Sequence, residues 1–147
     1  MQFEGSEQIN APVAVVWAYL TDPNQVSACV PGLKSIEVTE PGKKFKAVAA
    51  VGLGAMRATF TTDVEWIELT EPHFAKMKAH GTAPGSAADV VAEMQISEES
   101  GDSSTLDWKA EVEVVGTIAS LAARMMNTAA KQLTGQFFRC VKSNIEV

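Results

Sequence analysis

Between Leu33 and Val115 apolar residues recur at every second position, with turn residues between the runs, which predicts strands joined directly to one another. "LKSIEVTE" runs into Pro41-Gly42, and "KFKAVAAV" runs into "GLG". In "MRATFTTDVEW", Met56, Ala58, Phe60, Thr62, Val64 and Trp66 share one face, and Arg57, Thr59, Thr61, Asp63 and Glu65 take the other. "FAKMKAH" sets Ala75, Met77 and Ala79 opposite Lys76, Lys78 and His80. The last two runs are the clearest. Ala88, Val90, Ala92, Met94 and Ile96 share a face, as do Leu106, Trp108, Ala110, Val112 and Val114, while Asp107, Lys109, Glu111 and Glu113 point away. "SEESGDSS" between them reads as a polar hairpin loop. Consecutive strands without intervening helices pair antiparallel, and one apolar face per strand means that the sheet is covered on one side only.

The cover must be helical, and the two ends of the chain supply it. After a first alternating segment, "FEGSEQI", Pro12 suits a first helical turn, and Val13, Val16, Trp17 and Leu20 make one apolar face. Asp22-Pro23 ends that helix and starts a second short one through Gln25 and Val26, before "CVPG" breaks it. The C-terminal stretch "GTIASLAARMMNTAAKQLTGQFFRCVKSNIEV" reads as one long helix with Thr117 as N-cap. Its apolar stripe is Ile118, Leu121, Ala122, Met125, Ala129, Leu133, Phe137, Val141 and Ile145. About 28 helical residues span roughly 42 Å, enough to cross a small domain. Gly135 inside it costs about 1 kcal/mol, which favours a bend or a close approach there. The pattern is α+β, with a sheet of about seven antiparallel strands, two short helices after the first strand, and a long C-terminal helix, in a single domain over residues 1–147.

Composition narrows the class. The chain has 147 residues, 46% hydrophobic and 20% charged, ordinary values for a globular protein. A net charge of −6 and a pI near 4.9 argue against nucleic acid, whose binding needs a basic stripe to displace counterions. "MQFEGSEQ" has neither the basic nor the apolar region of a signal peptide, and Thr117, Ser120 and Arg124 interrupt the best candidate for a spanning helix. Cys29 and Cys140 stand alone, without metal spacing or a disulfide framework, and two lone cysteines fit a reducing cytoplasm.

Catalytic signals are poor. "GLGAMR" mimics a dinucleotide loop, but Arg57 stands at the third glycine position and the segment joins two strands. "PGSAA" lacks the glycines of a nucleophile elbow. His73 and His80 have opposite parity along an extended segment, so they face apart and share no metal. Asp63, Glu65, Glu111 and Glu113 fall on outward rows as a solvated strand face. The inward face instead offers volume. Ala58, Ala75, Ala79, Ala88, Ala92 and Ala110 lie among its larger residues, opposite an alanine-rich helix. Two readings stay open: small residues let helix and sheet pack closely, or they leave a cavity. Met56, Met77, Met94, Met125 and Met126 suit a core or an adaptable ligand wall. Thr62 and the indole N–H groups of Trp66 and Trp108 are the polar tips available to orient a guest.

"INAPVAVVWAYLTDP", "ACVPG", "VG" followed by "ATFTTDVEW" and "EPHF", "GTAPGSA", and "GTIASLAARMMNTAAKQLTGQFF" occur in an order that resembles the carbon monoxide dehydrogenase G-subunit (CoxG) family. That family is a branch of the START-like superfamily, the polyketide cyclase and birch-pollen-allergen type, and the resemblance covers essentially the whole chain. It implies a helix-grip fold, a curved antiparallel sheet around the long C-terminal helix with an apolar cavity between them. It also implies an accessory role beside a CO dehydrogenase or related molybdenum hydroxylase, in membrane recruitment or in handling a lipophilic partner such as quinone. Some members carry a C-terminal extension that reaches the membrane. This chain stops at Val147, so anchoring by itself is not expected, and any contact with the membrane would be peripheral, at its inner face.

The resulting expectation is a non-catalytic cytoplasmic protein without cofactor or metal. Phe60, Thr62, Trp66, Met94, Trp108, Leu121, Met125 and Ala129 would line its site, with the "VGLG" and "GTAPG" turns near a mouth. Two rival readings stand beside it. One is a recruitment module using Arg124 and Lys131. The other is a cyclase- or dehydratase-type enzyme, which would need a titratable group on the inward face.

Overall fold

The computed structural model describes residues 1–146. Val147, the last residue of the expected domain, lies outside the described residues. Strand β1 (Gln2–Ile9) is followed by helices α1 (Val13–Leu20) and α2 (Pro23–Val26) and a 3₁₀ turn at Ser27–Cys29. Then come β2 (Leu33–Glu40), β3 (Lys44–Leu53), β4 (Met56–Thr70), β5 (Phe74–Ala83), β6 (Ser86–Ser100), β7 (Ser103–Gly116) and helix α3 (Ala119–Ile145).

The seven strands form one curved antiparallel sheet in the order β1-β7-β6-β5-β4-β3-β2. Sequential hairpins account for every neighbour except β1, which returns to pair with β7, Phe3 opposite Ala110 and Ile9 opposite Ser104. The register keeps the alternation coherent across the sheet. Val64 sits opposite Ala79, Ala79 opposite Val90, and Val90 opposite Val112, so the apolar rows stack on one face.

Asp22 caps α2, its Oδ1 accepting from the Asn24 N–H at 3.0 Å. Three local expectations need correction. Pro12 is the N-cap of α1 rather than its first helical residue. Thr117 does not cap α3. Its hydroxyl donates to the Gly85 carbonyl at 3.2 Å, and the uncapped helix begins after Ile118. "SEESGDSS" is largely strand, because β6 and β7 run to Ser100 and from Ser103, leaving a two-residue turn at 101–102. Polarity marks solvent on both faces of the hairpin from Ser97 to residue 102, not the loss of pairing, and Ser104 at its end is buried.

The C-terminal half of α3 is fastened to the α1–α2 region by several different contacts. Cys29 and Cys140 form a disulfide with Cα atoms 5.4 Å apart. This overturns the reading of two isolated thiols, and with it the argument from cysteines for a reducing compartment. The partners are 111 residues apart, a separation that only the fold brings together. Beside the bridge, Asn144 Nδ2 donates to the Tyr19 hydroxyl at 2.9 Å. Lys142 Nζ pairs with Glu7 Oε1 at 2.9 Å, and the Asn10 N–H donates to Glu146 Oε2 at 2.8 Å. Among the described residues the one buried polar side chain, Ser104, donates to the Ala11 carbonyl at 2.7 Å and ties β7 to the start of α1.

Gly135 lies within the 27 residues of α3, and a side chain there would meet only the Arg139 guanidinium, at 3.7 Å. Neither the sheet nor another helix approaches it. Gly135→Ala is therefore expected to stabilise the protein by about 1 kcal/mol, raising the melting temperature by roughly 2–4 °C. A fall on thermal unfolding would mean that this position is packed. The disulfide predicts no reactive thiol in unreduced protein. Cys29→Ala with Cys140→Ala should lower stability by about 2–4 kcal/mol in equilibrium unfolding.

Candidate functional site

The inner face of the sheet meets its helical cover in two separate places. At one end Ile9, Val16, Leu20, Ala75, Ile96, Leu106, Phe138 and Val141 form a buried cluster under α1 and the second half of α3. At the other end Leu53, Phe60, Ile118, Ala122 and Ala129 form a second cluster under the first half of α3. The helix runs nearest to β3, to β7 and β1, and to the 3₁₀ turn. Between the clusters the inward residues Met77, Ala79, Val90, Ala92, Ala110 and Val112 belong to neither and are only half-buried. Ala92 and Ala110 are direct cross-strand neighbours, and Met77 lies across from Ala92.

The eight expected site residues are divided by this arrangement. Trp66, Met94 and Trp108 pack against the first cluster, whereas Phe60, Leu121, Met125 and Ala129 belong to the second. Thr62 stands between them, in neither. Glycines set two of these positions. A side chain at Gly5 would fall 2.8 Å from Trp108 Nε1, so its absence lets the indole lie over β1, where it also stacks on Phe138 at 6.5 Å between ring centroids. A side chain at Gly81 would fall 2.9 Å from Thr62 Oγ1 and 3.3 Å from Phe60 Cδ1, so both residues lean across that strand. At the end of the second cluster, Met125 reaches the turn at Gly54, with its methyl 3.0 Å from where a Cβ would stand. The "GLG" turn thus adjoins α3.

Phe138 lies outside the expected helical stripe, yet it is buried while Phe137 is half-buried, the two rings meeting edge-on at 5.0 Å. Glu7 is a further inward group that the apolar pattern does not mark. It shares parity with Phe3, Gly5 and Ile9 on the covered face of β1, so parity alone identifies it. Its carboxylate is engaged by Lys142. The outer face carries the charges. Lys109 pairs with Glu93 at 2.8 Å, Lys44 with Glu65 at 3.7 Å, and His80 Nδ1 with Asp89 Oδ1 at 2.6 Å. A concavity of about 590 Å³ on that face is bordered by the exposed Val91 and by Glu4, Lys76, Glu93, Lys109 and Glu111, charges of both signs. His73 turns its Nδ1 to the Ile96 carbonyl at 2.9 Å, away from His80. Among the described residues no group of three or more His, Cys, Asp or Glu could hold a metal, and no helix is long and apolar enough to cross a membrane.

The model of the carbon monoxide dehydrogenase G-subunit (CoxG) family matches residues 5–146. The chain belongs to the CoxG family. No curated protein matches it in sequence. Among solved structures, a conserved protein from Geobacillus kaustophilus superposes with a TM-score of 0.90 at 24% identity, covering 98% of this chain and 94% of that one. An aromatase/cyclase from Streptomyces sp. R1128 gives 0.66 at 14% identity, over 100% and 99% of the two chains. A di-domain aromatase/cyclase of the BE-7585A biosynthetic pathway gives 0.71 at 16% identity, over 100% of this chain and 50% of that one. These likenesses show the helix-grip fold of this CoxG protein, and at such identities they carry the fold alone.

The glycine at 81 is open to test. Gly81→Val should cost about 1–3 kcal/mol in equilibrium unfolding, because Thr62 and Phe60 would have to move. Gly52→Val, where no atom lies within 4 Å of the new Cβ, should cost far less. Equal losses would mean that Thr62 and Phe60 are free to shift.

Proposed function

We propose that this CoxG-family protein is a non-catalytic accessory protein of a CO dehydrogenase or related molybdenum hydroxylase system. In this reading it holds a lipophilic small molecule, a quinone or another lipid, between the sheet and α3. One observation carries the reading: the alanine-lined middle of the inner face points at the helix yet remains half-exposed between two buried clusters. A folded protein leaves apolar surface accessible on its inward side only at a cost of about 25 cal/mol per Å², which an apolar guest would recover. Phe60, Leu121, Met125 and Ala129 would wall one end of the guest and Trp66, Met94 and Trp108 the other, with the Thr62 hydroxyl available to a carbonyl oxygen. The methionines adapt to a flexible chain.

The cyclase-type alternative draws on the aromatase/cyclase neighbours, but those likenesses carry only the fold. The inward carboxylate, Glu7, is held by Lys142 beside the fully buried cluster, away from the alanine-lined middle. An acid or base free to work on a guest there would have to come from elsewhere.

Protein purified gently from a quinone-containing host, extracted with organic solvent and weighed by mass spectrometry, should release a quinone or lipid near one per chain. An empty extract, repeated after incubation with quinones, would sink the carrier reading. Ala92→Phe and Ala110→Phe point a ring into the same space, so each should abolish the bound lipid while changing the melting temperature little. If the middle were solid, overpacking there would instead cost about 1–3 kcal/mol.

A further inference from the structure

The outer side of α3 differs in charge from the rest of the molecule. The helix carries Arg124, Lys131, Arg139 and Lys142 and none of the chain's 18 acidic residues, although the net charge is −6. Lys142 turns inward to Glu7. Arg124, Lys131 and Arg139 are exposed and make no ion pair among the described residues. At about 100° per residue the three fall within roughly 80° of arc, along some 22 Å of helix. Gly135 falls inside that arc, between Lys131 and Arg139. Its missing side chain opens outward, with only the Arg139 guanidinium near it. A glycine in mid-helix is unfavourable, and here nothing within the chain compensates for it.

We propose that this strip is a docking surface for a carboxylate-rich helix or loop of a protein partner, whose backbone approaches α3 at the Gly135 notch. A lipid surface fits the strip less well. Among the described residues none of the exposed large hydrophobics lies on α3, so the strip has nothing to insert between acyl chains, and a notch is wasted on fluid headgroups. A partner of fixed shape uses both the three charges and the notch. The enzyme partner named for the test rests on the accessory reading given above.

The test measures binding of the purified CO dehydrogenase holoenzyme of the same organism to the full chain by surface plasmon resonance. Arg124→Glu with Lys131→Glu and Arg139→Glu should weaken Kd by about 100-fold or more, and raising salt from about 50 to 300 mM should weaken the wild type about tenfold. Gly135→Gln adds bulk without charge and should weaken binding about tenfold, with circular dichroism and lipid content unchanged. Undiminished binding of the charge-reversed protein would overturn the strip and leave the accessory reading standing. Absence of binding by the wild type would overturn both. Binding of phosphatidylcholine–phosphatidylglycerol vesicles that is lost on charge reversal, without enzyme binding, would reassign the strip to a membrane. A dimer dispersed by the same reversal would reassign it to a second copy.

Discussion

One helix cannot cover seven strands. At about 4.8 Å between strands the sheet is roughly 29 Å wide, whereas a helix with its side chains is about 10–12 Å across. Curvature brings the edges inward, but α3 still meets the sheet at two clusters, not along its whole inner face. The stability of the fold and the half-exposed middle of its inner face both follow from this mismatch. Where the helices touch, the centre of each cluster is buried completely, as at Ile9, Ile96, Leu106, Ala122 and Val141. Where they do not, alanines and valines of the same inward rows stay half-exposed.

The two ends of α3 are held by different means. The second half is pinned by a disulfide, by Asn144 to the Tyr19 hydroxyl, by Lys142 to Glu7 and by the Phe137–Phe138 pair against Trp108. Most of these fix the helix to the strand and helices at the N-terminal end of the chain. The first half begins without a side-chain cap and meets the second cluster through Leu121, Ala122, Met125, Met126 and Ala129, with no disulfide, ion pair or aromatic pair among them. Segments with few specific contacts open at lower free energy than segments with many. The first half of α3, beside Met125 and the Gly54 turn, is therefore the part that opens most readily, while the disulfide end stays fixed.

Alternation makes most of this fold legible in the sequence itself. Period two places the inward rows correctly from Ala58 to Trp66 and from Ala75 to Val114, because antiparallel hairpins preserve parity from one strand to the next. Met56 at the start of β4 is instead exposed, and the register shifts after Trp66. The same rule turns Glu7 inward, a position passed over when apolar residues alone mark a covered face. Whatever depends on distance along the chain stays illegible. The Cys29–Cys140 bridge joins residues that no spacing rule connects, and the division of the eight site residues between two clusters depends on how α3 lies across the sheet. Thr117 looks like a cap from its neighbours alone, but Gly85, 32 residues earlier, takes its hydroxyl.

Both proposals draw on the same helix, and its geometry keeps them apart. Arg124 and Met125 are adjacent in sequence, yet Arg124 is exposed and Met125 packs on the second cluster, so the boundary between the inward stripe and the outward strip falls between them. The arginines and lysine outside have no large exposed hydrophobic residue beside them on the helix. A charge reversal on the strip therefore leaves the inner wall intact, and a phenylalanine at Ala92 leaves the strip intact. This independence allows a lost partner and a lost ligand to be traced to separate faces of one helix, instead of to a single collapsed fold.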